Sequence, residues 1–392
     1  MTNQPQAAQT NQPRIALDEE ARVGERIAVA TPATLMWWKF RKHKLAVISS
    51  IFLIFMYLLA IFCEFVSPYL PDDTSALYKS APPSKIRMID ADGNFRRPFV
   101  YGTDLSRDPE TLRAIYTENQ EVIYPIKFFT QGPTYEFWGL WETDMHLFGV
   151  AVLPDIPQEE QPRVMVLGAD RIGRDVFTMT VYGARISLSI GLIGVFISLG
   201  VGIIIGGISG FYGGIIDNLI QRIIEFIRSI PQIPLWMALS AALPLEWPVL
   251  RVYFAISLIL SLVGWTNMAR VVRGRFLAMR EEDFVLSARL TGSSEGRIIL
   301  VHMVPSFLSH IIASLTLAVP YMILSETSLS FIGLGLRAPA ISWGVLLAEA
   351  QNVRSIALTP WVFWPAVAVI STVLAFNFLG DGMRDAADPY AR

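Results

Sequence analysis

The side chains that usually perform catalysis or bind metal ions are few in this sequence. It contains one cysteine, Cys63, and four histidines, at positions 43, 146, 302 and 310. A single cysteine excludes an internal disulfide and a cysteine-rich metal site, and Cys63 lies in an apolar run where a small buried side chain is expected. No two histidines have the HExxH spacing of a zinc site. We therefore expect no metal, no cofactor and no catalytic centre.

Glu326 is the ionisable residue that stands out, because it lies in an apolar run beside Thr327 and Ser328. Ionisable groups inside membrane-spanning segments often mark ion or substrate pathways. Glu326 is therefore a candidate for the translocation pathway or for gating. The alternative, which we favour, is a hydrogen-bonded tie to a neighbouring helix, because polar groups commonly connect helices in membranes.

Composition indicates a membrane protein. Of the 392 residues, 53% are hydrophobic and 17% are charged, whereas a soluble domain has about 25% charged residues. The charges are sparse in long apolar runs, which is typical of membrane proteins. The formal net charge is −2, so no positive field would attract nucleic acid. We expect the lipid bilayer, and not nucleic acid, to be a partner.

Six apolar runs are long enough to cross a bilayer. A spanning segment needs about 20 mostly apolar residues, and it must be helical because lipid offers no partner to a free backbone group. The third run is interrupted by Pro231 and Pro234. The predicted fold class is therefore an all-α polytopic membrane protein with six transmembrane helices. The predicted spans are 45–66, 186–208, 224–243, 252–268, 307–329 and 361–379.

Basic residues near the ends of these runs predict their orientation, because positively charged loops stay on the cytoplasmic side. One basic cluster at 39–44 precedes the first run, and an arginine cluster at 270–297 lies between the fourth and fifth runs. Six crossings place both clusters and both termini in the cytoplasm. Residues 1–13 have no apolar core, which argues against a cleavable signal peptide. The expected location is the inner membrane.

Residues 67–166, between the first two runs, are then extracytoplasmic, which means periplasmic in a Gram-negative cell. They are too polar and too often broken by proline to span a bilayer. Asp92 and Gly93, flanked by 86–89 and 95–101, predict a β-hairpin. Gly132, flanked by 124–130 and 134–140, predicts a second one. We expect a folded α+β insertion, since an unstructured loop of this length is uncommon.

Small residues recur along one face of the second run, mostly at four-residue spacing. Small residues on one face let another helix approach closely. This close packing matters in a membrane because lipid gives no hydrophobic drive for helix association. We expect ordinary packing within the subunit. Helix sliding during transport is an alternative that spacing alone does not support. The stripe consists of Ser187, Gly191, Ser198, Gly202, Gly206, Gly210 and Gly214.

The segment 280–305, inside the arginine-rich region, predicts a docking element. Residues 284–290 favour a short helix, and Gly292 suits the left-handed position that ends a helix. Ser293 or Ser294 is expected to cap a second short helix with Glu295 in its first turn. A helix, a sharp turn and a second helix outside the membrane would fit a groove on a partner protein. A helix lying on the membrane surface is the alternative.

This segment resembles the EAA loop of the permeases of bacterial ATP-binding cassette (ABC) importers. The Glu-Ala-Ala positions of that pattern hold Leu286, Ser287 and Ala288 here, so the glutamate is replaced. Gly292 and Pro305, 13 positions apart, stand where the family has its glycine and proline. The resemblance implies that residues 281–305 contact an ATPase subunit. The residues assigned to this contact are Asp283, Phe284, Ser287, Ala288, Arg289, Gly292 and Pro305.

Other motifs resemble the dipeptide and oligopeptide branch of the same family, in its second-permease type. The resemblance covers the first run and nearly everything from residue 167 onward. The motifs are Leu-Gly-Ala-Asp at 167–170, Tyr-Gly-Ala-Arg-Ile-Ser-Leu at 182–188, Gly-Phe-Tyr-Gly-Gly at 210–214, Leu-Ser-Phe-Ile-Gly-Leu-Gly at 329–335 and Phe-Asn-Phe-Leu-Gly-Asp-Gly at 376–382.

The resemblance implies a type I ABC importer permease and a set of partners. A second, different permease, two cytoplasmic ATP-binding subunits and a periplasmic substrate-binding protein are expected. The sequence has no GxxxxGK[S/T] phosphate loop, so ATP hydrolysis belongs to another chain. The solute is expected to be a peptide or of similar size, with oligosaccharides and nickel also open. The aromatic stretch 135–141 is expected to dock the binding protein or to shield the outer vestibule.

Together these predictions divide the chain and leave one alternative function. An ion-gradient-driven secondary transporter should show two related halves with paired broken helices, and the sequence shows no internal repeat. The predicted divisions are a cytoplasmic tail at 1–38, the first transmembrane helix at 39–66, the insertion at 67–166, a permease core at 167–384 with five transmembrane helices and the EAA loop, and a cytoplasmic tail at 385–392.

Overall fold

The computed structural model describes residues 32–110, 114–151 and 161–387, and most of this chain is helical. The remaining parts of the predicted tails lie outside the described residues. The helices are α1 (Pro32–Lys42), α2 (Lys44–Ile61), α3 (Cys63–Val66), α4 (Val176–Tyr212), α5 (Gly214–Ser229), α6 (Gln232–Ala241), α7 (Val249–Met279), α8 (Asp283–Leu290), α9 (Leu308–Phe331), α10 (Trp343–Glu349), α11 (Val353–Leu358) and α12 (Trp364–Ala387).

Five helical segments in the described residues are long and apolar enough to cross a membrane. They correspond to the predicted first, second, fourth, fifth and sixth runs. Hydropathy predicts them because a long apolar run in lipid must form a helix, in which the backbone satisfies its own hydrogen bonds. The segments are Lys44–Ile61, Val176–Tyr212, Val249–Met279, His310–Phe331 and Pro360–Ala387.

The third predicted run forms two shorter helices, α5 and α6, which have 16 and 10 residues. They are separated at Ile230, whose backbone is extended at φ −83° and ψ 128°. The residue before a proline is driven out of the helical region by the proline ring, and Pro231 follows directly. Pro234 lies in the first turn of α6, where the absence of its N–H breaks no helical bond.

Two spanning helices are longer than their apolar runs. α4 begins at Val176, and the carboxylate of Asp175 caps it by accepting a hydrogen bond from the Thr178 N–H at 2.8 Å. α7 has 31 residues and continues to Met279, into the first part of the arginine cluster. Hydropathy marks only the lipid-facing part of such a helix, whereas capping and tertiary packing set where it ends.

The insertion is built on one antiparallel sheet of order β1-β2-β3-β4, formed by Arg87–Ile89, Phe95–Arg107, Ala114–Phe137 and Trp141–Val150. The predicted hairpin at Asp92 and Gly93 is confirmed. Its turn is closed by the Asp90 carboxylate, which accepts hydrogen bonds from the N–H groups of Asp92 and Asn94 at 3.1 and 2.8 Å. Gly93 takes the left-handed conformation that the turn requires, at φ +85°.

The predicted hairpin around Gly132 is wrong. β3 continues through Gly132 to Phe137, and the chain reverses only at residues 138–140. Gly132 is required instead because a Cβ there would lie 2.6 Å from the imidazole ring of His146 on β4. A glycine inside a strand can mark such a close approach as well as a turn. The His146 ring also connects the sheet to the end of α3, since its Nδ1 lies 2.5 Å from the carbonyl oxygen of Ser67.

The membrane core is centred on the contact between α4 and α7, and glycines on α4 make it close. A Cβ at Gly206 would lie 2.4 Å from the Ala269 carbonyl oxygen, and similar clashes would occur at Gly202 and Gly210. Gly214 does not share this contact. It begins α5 at φ +57°, and a Cβ there would meet nothing within 4 Å. The predicted stripe therefore packs within the subunit but ends before Gly214.

Candidate functional site

The segment between α7 and α9, residues 281–305, is the predicted coupling loop. Its first element is α8, which ends in a Schellman turn. Gly292 has φ +77°. The Gly292 N–H donates to the Arg289 carbonyl and the Ser293 N–H donates to the Ala288 carbonyl, both at 3.0 Å. These are the two bonds that define this helix ending, and the left-handed conformation of Gly292 agrees with the prediction.

After this turn the loop continues as short helical pieces. Ser294 occupies the predicted N-cap position before Glu295–Arg297, but its side chain makes no capping hydrogen bond. A π-helical turn at Ile298–Met303 follows, and Pro305 lies in the next turn, Val304–Ser306. The second helix of the predicted motif is therefore a series of short turns. The wide π-turn directly precedes the proline. Proline has no N–H and therefore cannot continue the regular hydrogen bonding of an α-helix.

The inner side of the coupling loop packs on the ends of three spanning helices. Val285, Ile298 and Met303 have no exposed surface, and Ala288 is also buried. Burying a large aliphatic side chain stabilises by about 1.5–3 kcal/mol, so this packing fixes the loop to the helices. Their partners in one apolar cluster are Phe211 at the end of α4, Met268, Val272 and Phe276 on α7, and Phe307 and Ile311 at the start of α9.

The outer side of the coupling loop is exposed and partly apolar. Leu290 is 89% exposed, and Leu286, at the position of the family's glutamate, is 42% exposed. Asp283, Phe284, Ser287, Arg289, Gly292 and Pro305 are also exposed, so Ala288 is the one assigned residue that faces inward. The guanidinium of Arg289 lies 4.7 Å from the centre of the Phe211 ring, in a cation–π arrangement.

An ion pair beside the loop, between a buried aspartate and a half-buried arginine, was not predicted from the sequence. The guanidinium of Arg273 on α7 donates to both carboxylate oxygens of Asp217 at 2.5 and 2.6 Å, and the Ser209 hydroxyl donates to the same carboxylate. Asp217 lies in the first turn of α5. An acidic residue at the start of a helix could have been noticed in the sequence, but nothing there indicated that Arg273 is its partner.

Glu326 is fully buried on α9 and accepts hydrogen bonds from three serine hydroxyls. The serines belong to α4, to α9 itself and to the residue before α10, so the carboxylate connects three elements. This arrangement matches the predicted interhelical tie, whereas a role in gating stays a prediction. The donors are Ser187 at 3.2 Å, Ser330 at 2.9 Å and Ser342 at 2.7 Å.

A second ion pair lies where α2 ends. The guanidinium of Arg185 donates to both carboxylate oxygens of Glu64 at 2.5 Å, and Glu64 is buried. The buried Cys63 thiol lies 3.5 Å from the same carboxylate. No group of three or more His, Cys, Asp or Glu residues in the described parts of the chain is arranged to hold a metal ion.

Comparison with known protein families identifies the class of protein that carries this loop. A family profile described as "Binding-protein-dependent transport system inner membrane component" matches residues 202–392, which include the coupling loop. A second profile, described as the "N-terminal TM domain of oligopeptide transport permease C", matches residues 31–83, which include α1 and α2.

Individual relatives agree with these profiles. The chain is 37% identical to the oligopeptide transport system permease protein of Bacillus subtilis over 226 residues, which is 57% of this chain and 72% of that protein. It is 40% identical to the dipeptide transport system permease protein of the same species over 227 residues, 57% of this chain and 68% of that one. It is 31% identical to the glutathione transport system permease protein of Escherichia coli over 361 residues, 92% and 91% of the two chains.

The chain belongs to the binding-protein-dependent ABC importer permeases. It is a multi-pass membrane subunit with the type I importer permease fold, and ATP hydrolysis takes place in separate ATP-binding subunits. Among solved structures, the inward-facing MetNI methionine ABC transporter aligns with a TM-score of 0.42 at 18% identity, covering 54% of this chain and 97% of that chain.

Proposed function

We propose that this chain is the second of two different permeases in an inner-membrane importer of peptides or solutes of similar size. The observation that carries the proposal is the two-sided coupling loop. Its inner side is packed on the ends of α4, α7 and α9, and its outer side is exposed. One such loop on each permease would bind one of two cytoplasmic ATPase subunits. A periplasmic binding protein would deliver the solute on the opposite side.

The proposed ATPase contact is centred on α8. Phe284, Leu286 and Leu290 provide an exposed apolar surface, and buried apolar side chains with a polar rim are the usual anatomy of a protein interface. Leu286 replaces the family's glutamate, so this chain would contact its ATPase with more apolar surface at that position. Asp283 and Arg289 would supply polar contacts at the rim of the same face.

The proposed coupling route passes through the inner side of the loop. A displacement of α8 by the ATPase would reach Phe211, Phe276 and Phe307, because these rings pack against its buried side chains. The bidentate pair of Asp217 and Arg273 joins α5 to the same end of α7. Packed interfaces of this kind transmit motion between discrete arrangements and do not deform continuously.

The proposed topology has six crossings, in which α5 and α6 together form the third. This count places the basic residues before α2 and the arginines of the coupling loop on one side of the membrane, as the positive-inside rule requires of the cytoplasmic side. Both termini would be cytoplasmic, and the insertion at 67–166 would be periplasmic. Modification of a cysteine placed at Arg289 by an impermeant reagent in intact cells would contradict this orientation.

The proposed translocation path includes a cavity of 420 Å³ between α4, α7 and α9. Its lining combines apolar side chains with a few polar groups, as solute sites usually do. A peptide cargo is supported by the names of the oligopeptide, dipeptide and glutathione permeases that the chain resembles. Oligosaccharides and nickel remain alternatives. The polar lining residues are Ser198, Asn267, Ser314 and Tyr321.

Uptake measurements distinguish this proposal from an ion-gradient-driven transporter. The complete transporter is reconstituted in liposomes with its binding protein outside, and ATP and the membrane potential are varied independently. We expect peptide uptake to stop when ATP is removed at constant potential and to continue when the potential is collapsed at constant ATP. Uptake that follows the potential would contradict the proposal and support a secondary transporter.

A further inference from the structure

An apolar groove at the end of α2 has no role in the proposed transport cycle. The groove has a volume of 660 Å³ and lies between α2 and the hairpin formed by β3 and β4. A surface of this kind in water would be unfavourable and would mark an interaction site. The principal lining residues are Phe55, Leu58 and Phe62 from the helical side and Phe137, Trp141 and Met145 from the hairpin.

The tip of this hairpin is exposed and apolar. Leu140 is 74% exposed, Trp141 is 56% exposed and Trp138 is 52% exposed. Tips of surface hairpins usually carry polar residues, asparagine and glycine, which suit the turn and water. Two of the three are tryptophans, which proteins often place at the boundary between lipid and water.

The tip is held against α2 at the cost of backbone strain. Trp138 has φ +54°, a conformation that side chains with a Cβ rarely adopt. Its indole N–H donates to the Ile61 carbonyl at 3.0 Å, and its ring lies 4.4 Å from the guanidinium of Arg185. The neighbouring Phe137 ring stacks on Phe62 at 5.9 Å between centroids. Strained positions persist where the surroundings determine them in this way.

These contacts fix the depth of the hairpin relative to the membrane. α2 spans 18 residues, from Lys44 to Ile61, which is about 27 Å at the rise of an α-helix and close to the thickness of the bilayer core of about 30 Å. With α2 across the bilayer, Trp138, which is bonded at Ile61, would lie at the boundary of the bilayer. Phe55 and Leu58 line the groove one to two turns inside that boundary.

The groove is continuous with an apolar surface of α2 that is exposed in this subunit. α2 exposes Ile48, Ile51 and Ile54 along the side that leads to Phe55 and Leu58. A helix of this length in a bilayer exposes such a side to acyl chains, and a groove in the same surface and at the same depth contacts the same medium.

We propose that this groove binds an acyl chain of an outer-leaflet phospholipid and that the hairpin tip is immersed at the interface of that leaflet. The insertion is thus anchored to the membrane beside its own first helix. The assignment of the leaflet rests on the topology proposed above. The aromatic stretch at 135–141 then contacts the membrane. Docking of the binding protein at this stretch is the alternative that the experiment distinguishes.

The depth of the tip can be measured with spin labels in the complete transporter in liposomes. Cys63 is replaced by alanine, and Leu140→Cys and Phe95→Cys are labelled separately with a nitroxide. The two sites are matched, because Phe95 is 79% exposed beside the other hairpin turn of the insertion. We expect the label at position 140 to collide with oxygen and to lose collisions with a water-soluble nickel chelate, whereas the label at 95 keeps them.

Equal chelate collisions at both positions would overturn the proposal. Chelate collisions at position 140 that disappear only when the binding protein is added would overturn it in favour of a docking surface. ATP-dependent uptake is measured in the same liposomes, so a failure of the lipid proposal is distinguishable from a failure of the proposed function.

Occupancy of the groove is tested with a phosphatidylethanolamine that carries a photoreactive diazirine in its acyl chain. We expect crosslinks to β4, and we expect Met145→Glu to reduce their yield by about tenfold, because a charge in an acyl-chain site is strongly unfavourable. Met88→Glu is the matched control, since Met88 and Met145 are 50% and 47% exposed. Equal yields in the two variants would contradict the groove as the binding site.

Discussion

Gly292 illustrates how much a single residue can decide in this protein. A Cβ at this position would meet nothing within 4 Å, yet its φ is +77°. Space therefore does not require glycine here, whereas the backbone conformation does. The two hydrogen bonds of the Schellman turn depend on that conformation, and they set the direction in which the chain leaves α8.

We expect Gly292→Val to uncouple ATP hydrolysis from transport. The left-handed conformation costs a residue with a Cβ about 1–2 kcal/mol, and more when the side chain is β-branched, so the turn should rearrange. Binding-protein-stimulated ATPase activity and peptide uptake are measured together. Gly296→Val is the matched control, because Gly296 has equally open space and no positive φ. Normal transport by Gly292→Val would show that the turn does not contribute to coupling.

Asp175 predicts a dependence of stability on pH. It lies just outside the second span, and burial raises the pKa of its carboxyl to about 6. The unfolded carboxyl has a pKa of about 3.9, so the folded chain binds a proton that the unfolded chain releases between these values. Its contribution is present in full below pH about 4 and is lost as the pH rises through about 6. The total change in the free energy of unfolding is on the order of 3 kcal/mol.

Asp175→Asn separates this effect from helix capping. The asparagine oxygen still accepts from the Thr178 N–H, while the titrating proton is gone. We expect the thermal midpoint of the wild type to fall between pH 4 and pH 7 and that of the variant to change much less over the same range. Parallel pH profiles for the two proteins would show that Asp175 does not titrate in this interval.

At the scale of elements, the contact between α4 and α7 depends on helix backbones that nearly touch. A Cβ at Gly206 would lie 2.4 Å from the carbonyl oxygen of Ala269 and 2.8 Å from its Cα. Both are backbone atoms, which cannot turn aside as a flexible side chain would. The two helices must therefore separate if Gly206 is replaced.

We expect Gly206→Ala to destabilise the protein by about 1–3 kcal/mol, the usual cost of overpacking. Gly200→Ala is the matched control on the same helix, because a Cβ there would meet nothing within 4 Å. Alanine favours a helix over glycine by about 0.5–1 kcal/mol, so the control should be neutral or stabilised. Thermal unfolding in detergent measures both, and equal midpoints would contradict the close approach.

The elements that the sequence predicted are those governed by local rules. Spanning helices, the hairpin at Asp92 and Gly93 and the turn at Gly292 follow from hydropathy and from residues that favour particular backbone angles. Gly132 was misassigned because glycine serves close contacts as well as turns, and only the position of His146 distinguishes the two. The start of α4 was missed because the capping of Asp175 is independent of hydropathy.

At the scale of the whole molecule, contacts between distant parts of the chain set the limit of prediction. Asp217 and Arg273 are 56 positions apart, and Glu326 and Ser187 are 139 apart. Each residue type was visible in the sequence, but its partner depends on how the helices are arranged. The coupling loop was predictable as a shape, whereas the apolar cluster beneath it was not, because that cluster combines side chains from α4, α7, α8 and α9.

The length of α7 has a mechanical consequence. Its 31 residues are unbroken, and at 1.5 Å per residue they measure about 46 Å, roughly 16 Å more than a bilayer core of about 30 Å. In a bilayer, about ten residues would therefore extend beyond the core, and Arg273 near the end of α7 is bonded to Asp217 on α5. In the proposed cycle, a displacement of α8 would tilt α7 as one rigid body, because its 31 residues form one unbroken helix that would carry the movement to the other side of the membrane.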